Sequence, residues 1–204
     1  MNTIHLFKEH AITFQTAETQ DMILAAKHLC HDVYVEVGFI KTPYDDRIVP
    51  YEHDNSSSYI AALDSKGEVV GTVRLKHGAP FQTMEIWKDN LYPPCSKLIT
   101  DAIAGNSFEI GALAVRKDFR GKQVSCGLYK AAYMHSLSSN LDYAIISMDE
   151  MALHSMQALG WNVIKIGDPM YYFGSLTVPG IMPVNEQPEH IAYCDLKTHE
   201  LLVA

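Results

Sequence analysis

The residues best suited to chemistry lie between Phe108 and Ala132, in FEIGALAVRKDFRGKQVSCGLYKAA. An apolar run ends at Val115, and a basic loop, RKDFRGKQVS, separates it from a helix-forming stretch. A phosphate-bearing ligand needs backbone N–H donors converging at a helix N-terminus, where the peptide dipoles also favour an anion. The loop has that form: Gly121 allows close approach, Arg116, Arg120 and Lys122 supply charge, and Ser125 is expected to cap the helix. Two positions where such cradles ordinarily hold glycine are occupied by Gln123 and Ser125. With Lys117 and Lys130 included, residues 116–130 hold five basic side chains against one acid, Asp118, a net of +4 in a chain of net −8. A basic island in an acidic protein points to a local anionic ligand; the plainer reading is a solvated helix start.

The elements that must position this loop follow from length and patterning. The 204 residues, 48% hydrophobic and 20% charged, fit one domain spanning 1–204 with a substantial core. The acidic total argues against general nucleic-acid binding. No apolar run is long enough to cross a bilayer, and MNTIHLFKEHAITFQ has no signal-peptide layout. Cys30, Cys95, Cys126 and Cys194 are far apart with no CxxC pair, as expected of free thiols in a reducing cytoplasm. His28 and His31 share a helix face, but no acidic or cysteine partner completes a metal set, so no metal is expected.

Along the chain, Met22, Ala26, Leu29 and Val33 recur at helical spacing and predict an amphipathic helix over 19–37. Pro43 and Pro50 then exclude a long helix. SYIAALDSKGEVVGTVRLKH reads as a hairpin turning at Gly67. Met84, Ile86, Trp87 and Leu91 anchor a short helix that Pro93-Pro94 ends. Phe108–Val115 is a strand, about 125–138 a helix, Leu141–Met148 a buried strand, Asp149–Leu159 a helix stopped by Gly160, and Trp161–Ile166 the start of another strand. Residues 168–188 are rich in proline, glycine and aromatics, and HIAYCDLKTHELL reads as a final strand. A meander followed by alternating helices and strands predicts a mixed α/β (α+β) fold.

Leu113-Ala114-Val115, then Arg120-Gly121-Lys122-Gln123-Val124-Ser125, resembles the strand, loop and helix of the GNAT superfamily of N-acyltransferases. The stretch AIISMDEMALHSMQALGW, closing on Leu159-Gly160-Trp161, is similar to that superfamily's later strand and helix. The resemblance spans roughly 20–175 and implies a mostly antiparallel central sheet flanked by helices. Many acetyl-transferring members place a proton-donating tyrosine where this chain has Met156, so that role is lost or moved, to water or to nearby His154. Within the superfamily the chain resembles the branch of acyl-homoserine-lactone synthases and long-chain N-acyl amino acid synthases, through VYVEVGF, YEHD, Gly71-Thr72-Val73-Arg74 and Glu109-Ile110-Gly111-Ala112-Leu113-Ala114-Val115. Ala112 stands where lactone synthases usually have arginine, and their acidic cluster is reduced to Glu52, Asp54 and Ser57, which favours the amino acid synthases.

The resemblance implies a neutral amine attacking a thioester. Glu109 is the expected general base, a role typically contributing about 10²–10⁴-fold, and the plainer alternative is a solvated or ion-paired strand start. Backbone amides around Leu113, Ala114 and Val115 are expected to polarise the carbonyl, and residues 113–125 to bind the donor. Arg74, with Glu52 and Asp54, either binds the acceptor's carboxylate or forms internal pairs; both readings stand. Tyr171, Tyr172 and Phe173 line an acyl pocket or pack in the core. The implied donor is an acyl carrier protein's phosphopantetheine thioester or acyl-CoA, the carrier protein being favoured because Gln123 narrows the approach to a single phosphate. The implied acceptor is an amino acid or small amine. Three alternatives remain: an acyl-CoA-dependent N-acetyltransferase, an acyl-homoserine-lactone synthase, and a non-catalytic thioester-binding module.

Overall fold

The computed structural model describes residues 5–9, 11–52, 54–121, 123–188 and 191. Its elements in chain order are β1 (His5–Glu9), β2 (Ile12–Thr16), α1 (Gln20–Glu36), β3 (Ser57–Leu63), β4 (Val69–His77), α2 (Gln82–Trp87), α3 (Ser96–Ala104), β5 (Ser107–Val115), α4 (Val124–Ser138), β6 (Tyr143–Asp149), α5 (Glu150–Ala158), β7 (Ile164–Lys165), β8 (Met170–Tyr172) and β9 (Ser175–Pro183). The strands form one sheet in the order β1-β2-β3-β4-β5-β6-β9-β7, with β8 also paired to β9. All pairings are antiparallel except β5 with β6. This is the mixed, mostly antiparallel α/β architecture expected from the sequence.

The α1 helix starts where the sequence places it, because the Thr19 side chain accepts the N–H of Met22 at 3.2 Å, satisfying a first-turn donor. The hairpin of β3 and β4 turns through Gly67 at φ +82. One face of the sheet packs α4 onto Phe14, Ile60, Val73, Leu75 and Ile110. The other face carries α1 over Ala112 and Ala114, and a second cluster joins Phe81 and Met84 of the α2 region to Ile145 and Ile181. Both faces of the central strands are therefore buried, which explains the near-continuous apolar runs of β3 and β6.

Two expectations are corrected, and two segments form strands that the sequence pattern does not assign. The N-terminal segment forms β1, at the edge of the sheet, and β2 beside it, strands whose alternation is masked by interleaved charge. The short helix ends at Trp87, ahead of Leu91 and Pro93-Pro94, and the prolines instead open a short 3₁₀ turn that leads into α3, as proline at a first helical turn permits. Residues 168–188, for all their proline and glycine, contain β8 and the nine-residue β9. Ser125 does not cap α4: the helix begins one residue earlier, and Gln123, at φ +61, is the residue before it. The proposed final strand, apart from Ile191, lies outside the described residues.

Candidate active site

A β-bulge and a fork organise the site. On β5 the partners of Thr72 and Arg74 are Ala114 and Gly111, so β5 holds one extra residue there. Ala112 absorbs it at φ +50. Pairing of β5 with β6 stops at Ile110 opposite Ile146, although β5 runs on to Val115 and β6 to Asp149. Beyond that point the two strands part, and their facing edges border a cavity of about 220 Å³ lined by Ile110–Leu113 on one side and Ile146–Asp149 on the other.

Glu109 lies at the base of the fork, buried, and lines this cavity. Its carboxylate is also the cap of α2. Oε2 accepts the N–H of Gln82 at 3.0 Å, and Oε1 accepts the N–H of Thr83 at 2.7 Å and its hydroxyl at 2.5 Å. The α2 helix has no cap from its own N-terminal residue Phe81, so a carboxylate from a distant strand supplies one. Of the two oxygens, Oε1 is thus doubly occupied while Oε2 holds one donor, which leaves it acceptor capacity toward the cavity. Lys76 sits directly opposite Glu109 in the β4–β5 register, buried, with its ammonium on the carbonyls of His77 and Gly78. Burial pulls its pKa down, partly offset by Glu109.

Arg74 is 2% exposed and lines the cavity, yet its Nε donates to Asp54 at 2.9 Å and an outer nitrogen donates to the Glu52 carbonyl at 3.2 Å. Its guanidinium also lies 4.7 Å from the centre of the Tyr51 ring. Asp54 accepts from Lys27 at 2.5 Å and Tyr59 at 2.9 Å as well. Burial raises the Asp54 pKa, but the bonds from Lys27, Tyr59 and Arg74 outweigh it and hold the carboxyl below its usual range. The structure therefore brings Arg74 and Asp54 together as an internal pair, and Glu52 is exposed.

Four tyrosines, Tyr34, Tyr51, Tyr129 and Tyr172, also line the cavity, three of them missed by sequence reasoning. Tyr172 bonds Gln82 at 3.0 Å, and burial with the nearby charges of Glu109 and Glu52 pushes its pKa to about 12. Phe173 lines the cavity too, whereas Tyr171 is 79% exposed. Met156 is buried in the core and His154 exposed on α5, so neither reaches the cavity lining.

The basic loop is more self-contained than its composition implies. Arg120 grips both oxygens of Glu36 at 3.0 and 3.1 Å and donates from Nε to the Val115 carbonyl. Arg116 pairs with Asp118 and Glu68. Gly121 is at φ +72, and Gln123 adopts the left-handed conformation at one of the two positions where glycine was missing. The Gln123 side chain makes no cap hydrogen bond to α4, whose N-terminus adjoins the loop. Lys122 lies outside the described residues. Leu113 lines the cavity; Ala114 and Val115 continue the strand to the loop.

The family profile described as N-acyl amino acid synthase FeeM matches residues 25–169. The chain belongs to the FeeM family of N-acyl amino acid synthases. Membership in the FeeM family makes it an N-acyltransferase. Solved structures with the same fold include the CoA-dependent acyl-homoserine lactone synthase BjaI with MTA, at 18% identity over 88% of this chain and 82% of that one, TM-score 0.68. TofI, in a ternary complex with an inhibitor and MTA, matches at 16% identity over 92% and 99%, TM-score 0.69. FeeM itself, an N-acyl amino acid synthase from uncultured soil microbes, matches at 14% identity over 90% and 98%, TM-score 0.63. At such identities the likeness is one of fold. No curated protein matches the sequence directly. Among the described residues no helix is long and apolar enough to cross a membrane.

Proposed function

We propose that the protein transfers a long-chain acyl group from a phosphopantetheine thioester to the amine of an amino acid, with an acyl carrier protein as the donor. The observation that carries this reading is the fork after Ile110 and Ile146, with Glu109 at its base. Strand edges freed from each other offer N–H and C=O groups to an extended pantetheine arm, and they would otherwise be left unsatisfied. The arm runs out between β5 and β6 toward the α4 N-terminus, where the positive end of the helix dipole and Gly121 receive its phosphate.

The acceptor's neutral nitrogen attacks the thioester carbonyl carbon and passes a proton to Oε2 of Glu109. The developing oxyanion is stabilised by backbone N–H groups at the bulge, around Leu113 to Val115. Collapse breaks the C–S bond, and with Met156 locked in the core we assign the thiolate's proton to water. Arg74, tied to Asp54, holds the acidic segment against the cavity and keeps a positive charge facing the acceptor. Arg116 and Arg120 of the island are committed to ion pairs, which suits one phosphodiester better than the several phosphates of CoA.

The test is product analysis by mass spectrometry after mixing the protein with a palmitoyl carrier protein or palmitoyl-CoA and a mixture of amino acids. Carrier-dependent N-acyl amino acid supports the reading. Turnover of acetyl-CoA alone would replace it with an N-acetyltransferase, and release of a lactone from a methionine-derived acceptor would replace it with a lactone synthase.

A further inference from the structure

We propose that the bare backbone of Gly111 is the floor of a subsite for the substituent on the acceptor's α-carbon, so that this one glycine sets which acceptors fit. The inference rests on the amino-acid acceptor proposed above. Other glycines answer to a packing or backbone need. A Cβ on Gly127 would stand 2.2 Å from Phe14, one on Gly71 would stand 2.8 Å from Val124, and Gly121 is at φ +72. Gly111 answers to neither. It lines the cavity, a Cβ built on it meets nothing within 4 Å, and its backbone lies outside the left-handed region. Glycine inside a strand weakens the strand, and the compensation visible here is space.

That space has a defined place. Gly111 pairs directly with Arg74 across β4 and β5, and Glu109 lies two residues earlier on the same strand face. A side chain at 111 would therefore stand between the Arg74 guanidinium and the Glu109 carboxylate. Strand positions i and i+2 are about 6.6 Å apart, a span mostly bridged by one hydrogen bond of about 2.8 Å and the two covalent bonds from an amino acid's nitrogen to its first side-chain carbon. An amine hydrogen-bonded to Glu109 must hang its α-carbon over Gly111. The bulge at Ala112 then bends β5 away and keeps the place open.

The experiment compares the parent with Gly111→Ala and Gly111→Val. kcat/KM is measured for acceptors of increasing α-substituent size at one fixed acyl donor, and then for acyl donors of increasing length with the smallest acceptor the parent takes. We expect bulky acceptors to lose about 10–200-fold for each group excluded, more in Gly111→Val than in Gly111→Ala. The smallest acceptor should lose least, the acyl-length ranking should hold, and melting temperature should not fall. An equal loss for every acceptor, an unaltered acceptor ranking, or a shift in acyl-length preference instead would overturn the proposal. An active parent with unaltered variants rejects this inference alone, whereas a parent silent toward every amino acid rejects the acceptor reading and the inference with it.

Discussion

Asp54→Asn keeps the shape of a side chain that accepts three hydrogen bonds but removes the charge that makes them strong. Its partners are Lys27 at 2.5 Å, Tyr59 at 2.9 Å and Arg74 at 2.9 Å. A hydrogen bond to a charged group is worth roughly 1 kcal/mol more than a neutral one, so three together set an upper figure of about 3 kcal/mol. The Lys27 and Asp54 side chains are 24% and 20% exposed, so solvent screens part of that pair. Arg74, only 2% exposed, is left with an uncompensated charge. A loss of about 2–3 kcal/mol follows, read as a lower urea midpoint at pH 7 with an unchanged slope. In Asp54→Asn/Arg74→Met the orphaned charge is gone, and the double variant should be less destabilised than the sum of the two single variants by about 1–3 kcal/mol. Because the folded-state pKa of Asp54 lies below its usual value of 3.8, its contribution is present above that value and disappears as pH falls through the folded pKa. The gap between parent and Asp54→Asn should therefore close in strong acid. An unchanged midpoint at pH 7, or strictly additive losses, would refute the assignment of Asp54 and Arg74 as an internal pair.

Gln123→Gly relieves a left-handed residue of about 1 kcal/mol of strain, so thermal melting should rise, and a fall would show that the Gln123 side chain stabilises the loop. Gly127→Ala places a methyl group against the buried Phe14 ring and should cost about 1–3 kcal/mol in a denaturant melt; a neutral result would mean that α4 shifts freely. His77 and His135, with ring centres 5.8 Å apart, both have pKa values lowered by burial, with Lys76 acting further on His77 and His77 on His135. Their neutral forms are accommodated above pH 6.5, and stability should decline as pH falls below it, where the unfolded chain takes up protons first. Melting temperature from pH 8 to 5.5 should fall less steeply in His77→Gln/His135→Gln than in the parent; equal slopes would contradict this.

Periodic and locally capped elements were legible in the sequence. The Thr19 start of α1, the Gly67 turn and the Val115-to-α4 junction each rest on residues a few positions apart. What escaped depends on partners remote in sequence. The β9 strand holds Pro179, Gly180 and Pro183, poor strand formers, and is fixed between β6 and β7 only by their pairing. Glu109 was readable as an acid beside an apolar strand, but its grip on Thr83 spans 26 residues and could not be inferred from local pattern. Arg120 was readable as part of a cradle, while its clasp with Glu36, 84 residues away, was not. Alternation along β4 held a usable signal: Lys76 had to share a face with Arg74. The bulge at Ala112, which forks the sheet, has no marker in an alanine.

The central claim is that Glu109 accepts the amine's proton in addition to capping α2, and single-turnover rates separate the two roles. Thr83→Val removes the hydroxyl bond to Oε1 and disturbs the cap, while Glu109→Gln keeps the side-chain shape and removes the base. With a preloaded acyl carrier protein and saturating acceptor, stability should fall in both variants. The rate of N-acyl bond formation should fall about 10²–10⁴-fold in Glu109→Gln and far less in Thr83→Val. Equal rates in the two variants, or a Glu109→Gln rate matching the parent, would contradict the account.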